Sequence, residues 1–125
     1  MIDLESLQVL NELGAHVHKN AAAHGFHDDD ADPLRFAAYC ANLHSEVSEL
    51  WEAWRKRRLA ESCDKGEEMH RAGLPVLTCA EEELADILIR LLDTAHGLGV
   101  DMAYAVVFKD LFNQRRSFRH GGKSA

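Results

Sequence analysis

The chain has 125 residues, close to half of them hydrophobic, and a formal net charge of −7. That length suits a single domain, residues 1–125, and no apolar run approaches the ~20 residues a membrane helix needs. The acidic balance argues against binding nucleic-acid polymers, whose phosphates are held by basic surfaces.

At the N-terminus, Leu4, Leu7, Leu10, Leu13 and Val17 recur every three or four residues. This predicts an amphipathic helix ending near Ala23 or Gly25, where a secretory signal would need a basic start and an unbroken apolar stretch. The polar HGFHDDDAD that follows reads as a loop. Asp32 and Pro33 then start a second helix, with the acid as cap and proline in the first turn, running to about Leu59.

Residues 60–77, with Gly66, Gly73 and Pro75, lack sustained periodicity and read as a long connection. Thr78 and Glu81 form a capping box for the next helix, whose apolar face is Leu84, Ile87, Leu88, Leu91, Leu92 and Ala95. Gly97 and Gly99 end it, and Asp101 caps a last helix carrying Ala105, Val106, Phe108, Leu111 and Phe112. A basic tail follows at about 115–125. Five Lys or Arg stand against one acid between Lys109 and Lys123, so that stretch carries +4 and the first 108 residues −11. The expectation is an all-α bundle of four or five helices around a four-helix core. Cys40, Cys63 and Cys79, odd in number and without CxxC spacing, indicate neither a disulfide framework nor a zinc knuckle, and fit a reducing cytoplasm.

Chemistry concentrates in two pairs of acids. On the second helix Leu43, Val47, Leu50 and Trp54 form a stripe expected to face the core, with Glu46 ~60–70° and Glu49 ~130° from its centre. On the next long helix Glu83 and Asp86 lie ~100° and ~160° from the stripe Leu84, Leu88, Leu91, Ala95, in the same rotational sense. A single ExxE or ExxD is most often a solvated flank. Four carboxylates gathered by neighbouring helices repel one another unless a cation intervenes, and hard divalent ions take such oxygen ligands. Lys109 and Asn113, four residues apart, can share one cleft, with Arg115, Arg116, Arg119 and Lys123 just beyond. Arg55, Lys56, Arg57 and Arg58 are read as complements to a helix C-terminal dipole.

Glu46xxGlu49, Glu83xxAsp86 and the ending FNQRRSFRHGGKSA together resemble the MazG-like family of all-α nucleoside triphosphate pyrophosphohydrolases. The resemblance runs from the GFH turn near residue 25 to Lys123. It implies that Glu46, Glu49, Glu83 and Asp86 hold Mg²⁺, with Mn²⁺ as substitute, and do the catalysis. It implies Lys109, Asn113 and Arg116 as phosphate contacts, and Asn20, His24 and His27 as groups near the nucleobase. The implied reaction cuts an NTP or dNTP between the α and β phosphates, leaving a monophosphate and pyrophosphate. The implied role is nucleotide-pool housekeeping, on dUTP or non-canonical triphosphates, in a homodimer or dimer of dimers. Trp51, ~80° from the stripe centre, is an expected interface residue. Two departures stand out: 33 residues separate Glu49 from Glu83, longer than family members usually show, and Ser45 stands where many have another acid.

Two other readings compete. A ferritin-like di-iron bundle needs an ExxH motif on each of two helices, for which the chain offers Glu67xxHis70 in the expected connection and Asp93xxHis96 beside Gly97. A non-enzymatic interaction module would use Trp51, Trp54 and exposed leucines, its acids merely solvating the surface.

Overall fold

In the computed structural model, which describes residues 2–116, five helices follow one another: α1 Gln8–Ala23, α2 Arg35–Arg55, α3 Gly66–Arg71, α4 Cys79–Gly97 and α5 Met102–Gln114. Among the described residues there is no strand, only an isolated antiparallel bridge between Ser62 and Thr78. The protein is therefore all-helical. None of the described helices is long and apolar enough to cross a membrane. Most of the basic tail, including Arg119 and Lys123, lies outside the described residues.

Local chemistry accounts for the helix ends. The Thr78 N–H donates to Glu81 Oε1 at 2.9 Å and the Glu81 N–H to Thr78 Oγ1 at 3.1 Å, a reciprocal capping box at the head of α4. Asp101 accepts from the Tyr104 N–H at 3.1 Å and caps α5. At the start of α2 the cap position falls to Leu34, two residues beyond Asp32. Asp32 Oδ1 instead accepts from the Leu34 N–H at 2.9 Å, building the turn that precedes the helix.

Three helices end in the same pair of bonds. The Val100 N–H donates to Ala95 O and Gly99 to His96 O behind α4, while Leu74 to Met69 O and Gly73 to His70 O close α3. Behind α2 the pair is Arg58 to Ala53 O at 2.8 Å and Arg57 to Trp54 O at 3.0 Å. This double closure requires a left-handed residue just past the helix. Gly99 and Gly73 supply it with φ of 72° and 75°, but at α2 the position is held by Arg57, with φ of 57°.

The chain divides into two compact units. The first, from Met1–His24 and Leu92–Ala125, pairs α1 with α5 and includes the last turns of α4. Leu92, Ala95, Ala103 and Val107 are its buried apolar residues. Asn11 on α1 ties it together: its Oδ1 accepts from the Met102 N–H at 2.9 Å and its Nδ2 donates to Asp101 Oδ1 at 2.8 Å. The hydrogen bond from Asn11, and then that from the Tyr104 backbone, hold the Asp101 carboxyl below the ordinary range.

The second unit, Gly25–Leu91, contains α2, α3 and most of α4. The expected connection 60–77 carries α3, a six-residue helix too short to declare itself by periodicity. Its flanks are pinned to the head of α4. Cys63 N–H donates to Leu77 O at 2.9 Å, Cys79 N–H to Glu61 O at 2.8 Å and Ala80 N–H to Leu59 O at 3.0 Å. All three cysteines are free.

The apolar stripe of α2 is covered on one edge alone, with Leu43 and Leu50 half-buried and Val47 and Trp54 exposed. Val47 is 51% exposed and Trp54 57%, whereas Glu46, expected at the border of the core, is only 7% exposed. On α4, Leu84 is 55% exposed while Glu82, Glu83 and Asp86 are half-buried. Periodicity identifies the stripe on each helix; it cannot tell which side another helix covers. In this unit α2 and α4 meet through their acid-bearing sides.

Candidate functional site

The facing sides of α2 and α4 come together in register. Arg90 Nε donates to Glu46 Oε1 at 2.7 Å, and ligand oxygens of Glu46, Glu49 and Glu83 all lie within 4.8 Å of one another. Pairing 46 with 90 and 49 with 83 makes the helices antiparallel here. Glu46 and Glu49, like Glu83 and Asp86, are spaced i, i+3, so each acid pair rises about one turn along its own helix. Asp86 lines the same cleft, a space of about 560 Å³ whose walls also include Glu52, Asp64 and Glu82. The cations on the walls are Lys56, Arg58, Lys65 and Arg90.

Buried carboxylate atoms Glu46 Oε2 and Glu83 Oε2 have no hydrogen-bond partner among the described residues. A buried acceptor left unpaired costs about 1–3 kcal/mol, more when charged, a cost that a proton shared between Glu83 and Glu49 or a bound cation would offset. Burial first, and then the charge of Glu49, raises the Glu83 carboxyl from 4.5 to about 7. Asp86 is raised as well, by burial and then by Glu46.

The donor set is all oxygen. Among the described residues no histidine or cysteine belongs to the Glu46, Glu49, Glu83 group, although Cys79 lines the same cleft, and three carboxylates together fit a hard divalent cation. Of the histidines in ExxH-like spacing, His70 lies on α3 at a different cavity, with Cys63 and Arg71. His96, on α4, packs against the His18 ring with centroids 4.8 Å apart and the planes tilted by 50°. His18 also meets Asp93 Oδ1 at 2.8 Å.

The other residues singled out from the sequence have local surroundings. Lys109 Nζ and Arg116 Cζ sit over the Phe112 ring at 4.8 and 5.7 Å, and Asn113 is on α5 beside them. The Asn20 carbonyl lies 2.8 Å from His24 Nδ1, an α1 end contact. In the second unit His27 Nδ1 is 2.8 Å from Asp30 Oδ2 and 2.9 Å from the Tyr39 hydroxyl. That hydroxyl donates to Asp30 as well. Burial first, and then Asp30, raise the Tyr39 phenol above its ordinary value. Trp51 and Trp54 stack on each other, centroids 5.1 Å apart, both exposed.

Sequence reasoning missed Arg90 and Lys65. Of the basic run after α2 it read all four residues as dipole complements, yet two of them, Lys56 and Arg58, line the acid cleft. Lys56 approaches Glu52 at 3.4 Å, and Arg58 Nε bonds Glu61 at 2.9 Å. The available signal was Arg90, one helical turn beyond Asp86 on the acid-bearing side of α4.

Comparison with protein-family models, with curated proteins and with solved structures finds no match for this chain.

Proposed function

We propose that this chain is a divalent-metal-dependent nucleoside triphosphate pyrophosphohydrolase of the MazG-like kind, cutting an NTP or dNTP between the α and β phosphates. The observation that carries the reading is the pair of unpartnered, buried carboxylate oxygens on Glu46 and Glu83, converging with Glu49 in a cleft that also has cationic walls. Acids for a metal and cations for an anion, in one cleft, match a metal–polyphosphate substrate better than either does alone.

Glu46, Glu49 and Glu83, with Asp86, would hold Mg²⁺ or Mn²⁺. When bound, such an ion neutralises charge on phosphate oxygens and lowers the pKa of a coordinated water. The side chains have their own tasks. Without metal, burial and Glu49 raise the Glu83 carboxyl to about 7, and a bound cation would bring it back to the ionised form that a ligand needs. Arg90 holds Glu46 Oε1 and so orients its second oxygen. Lys109, Asn113 and Arg116 as phosphate contacts, and Asn20, His24 and His27 near the base, rest on the family resemblance alone.

For self-association, the outward stripes of α2 and α4 support a homodimer or a dimer of dimers.

The test is a panel of canonical and damaged nucleoside triphosphates incubated with Mg²⁺ or Mn²⁺ and scored by pyrophosphate release. At least one is expected to be cut. Glu49→Gln should reduce turnover on the order of 100-fold or more, with the helical circular-dichroism signal intact. Absence of pyrophosphate across the whole panel would leave the interaction-module reading in its place.

A further inference from the structure

The connection between α2 and α4 is longer than the resemblance leads one to expect, and it does not trail into solvent. Backbone bonds from residues 59, 61 and 63 to the 77–80 stretch clamp it to the head of α4, and the Gly66 N–H donates to Cys63 O at 3.0 Å. Lys65 therefore sits on fixed backbone, between the clamped segment and α3. It lines the acid cleft, with Nζ 3.0 Å from Glu82 Oε1. Glu82 is the residue before Glu83. Its side chain is 12% exposed, while that of Lys65 is 60% exposed.

An ammonium has three donors, and Glu82 occupies one. The other two remain for a ligand at the open side of the cleft, within the same walls as the unpartnered oxygens of Glu46 and Glu83. Lysine serves anionic ligands as a point charge, and one held by a carboxylate on rigid backbone loses less entropy on binding than a free one.

We infer that Lys65 is a substrate-binding residue of this cleft, giving the clamped connection the task of gripping the oxyanions of a polyphosphate chain whose metal is held by the acids of α2 and α4. The inference rests on the hydrolase reading and adds to it the residue that recognises the phosphate chain. The competing role is a purely local one, as counter-ion to Glu82.

The two roles separate in a binding experiment on the full chain that needs no turnover. Mn²⁺ alone is titrated calorimetrically into wild type, Lys65→Ala and Lys65→Arg, and sodium tripolyphosphate is then titrated in buffer holding excess Mn²⁺. For Lys65→Ala, Mn²⁺ should bind as tightly as to wild type or more tightly, because a positive charge beside its ligands has gone. Tripolyphosphate should bind about tenfold more weakly, the loss expected from one charge-assisted contact. Lys65→Arg should restore most of that affinity.

Wild type and Lys65→Ala binding tripolyphosphate equally, both still binding Mn²⁺, would overturn this inference and leave the hydrolase reading standing. Mn²⁺ and tripolyphosphate affinities falling together, with a lowered melting temperature, would overturn it in favour of a structural ion pair. Failure of wild type to bind Mn²⁺ would overturn both readings.

Discussion

A carboxylate that sits near neutrality in a folded protein is a stability cost as well as a chemical resource, and Glu83 shows the sign. Its ordinary value is 4.5 and its value in the folded, metal-free protein about 7. Between those pH values the folded state binds the proton that the unfolded state has released. Stability contributed by this group is therefore lost as pH rises from about 4.5 to 7, and the cost is fully present above 7. Glu83→Gln removes the ionisation. In the presence of a chelator the variant should be more stable than wild type at pH 8 by on the order of 1–2 kcal/mol, a figure well below the full shift because solvent reaches the cleft. At pH 4.5 the two should melt together. Added Mn²⁺ should raise the wild-type melting temperature at pH 8 and leave the variant's unchanged. Thermal unfolding at the two pH values, with and without metal, checks all three. Equal melting of wild type and variant at pH 8 in chelator would show that Glu83 carries no such cost.

At the scale of elements, what was legible in the sequence was what is local. Thr78 with Glu81, and Asp101 before α5, announce helix starts because donor and acceptor lie within one turn. The helical content and the two acid pairs followed from spacing of three and four residues. The orientation of α2 did not, because a stripe such as Leu43, Val47, Leu50, Trp54 has the same period whether it faces a neighbour in the same chain or solvent. Arg90 escaped notice for a related reason: its partner Glu46 is 44 residues away, and no local pattern marks a pair made across helices. Asn11 is the same case, capping α5 from 91 residues away through the Met102 N–H.

The end of α2 belongs to this scale and carries a second prediction. Its closure copies those of α3 and α4 bond for bond, yet Arg57 occupies the left-handed position that glycine fills in the others. A side chain there costs roughly 1–2 kcal/mol. Against this, glycine loosens the unfolded chain by somewhat less than 1 kcal/mol. Arg57→Gly should thus stabilise the protein by about 0.5–1 kcal/mol, read as a shift of the urea midpoint at constant slope. Because the same turn sends Arg58 and the clamped connection toward α4, a destabilised Arg57→Gly would mean that the arginine side chain makes contacts worth more than the strain.

For the whole molecule the decisive fact is how little apolar surface the second unit hides. Within Gly25–Leu91 the buried apolar side chain is that of Cys63, and the remaining buried residues are Gly66 and the acid Glu46. Meanwhile Val47, Trp51 and Trp54 on α2, and Leu84, Leu88 and Leu91 on α4, all stand exposed. Monomeric proteins rarely leave so many large apolar side chains in water on adjacent turns, and each leaves uncollected the ~1.5–3 kcal/mol that full burial provides. With acids occupying much of their inner sides, the two helices leave apolar outer sides that a second copy of the chain, of matching chemistry, would cover. Sedimentation equilibrium at micromolar concentration should therefore give a dimer or tetramer. Val47→Asp combined with Leu88→Asp should shift it to monomer, since a charge in the middle of an apolar contact has no partner to offset its desolvation. The acids proposed to hold the metal point to other sides of α2 and α4 than these substitutions. Mn²⁺ binding should consequently persist in the dissociated variant if the protomer keeps its fold, and a wild-type protein that sediments strictly as a monomer would remove the self-association argument outright.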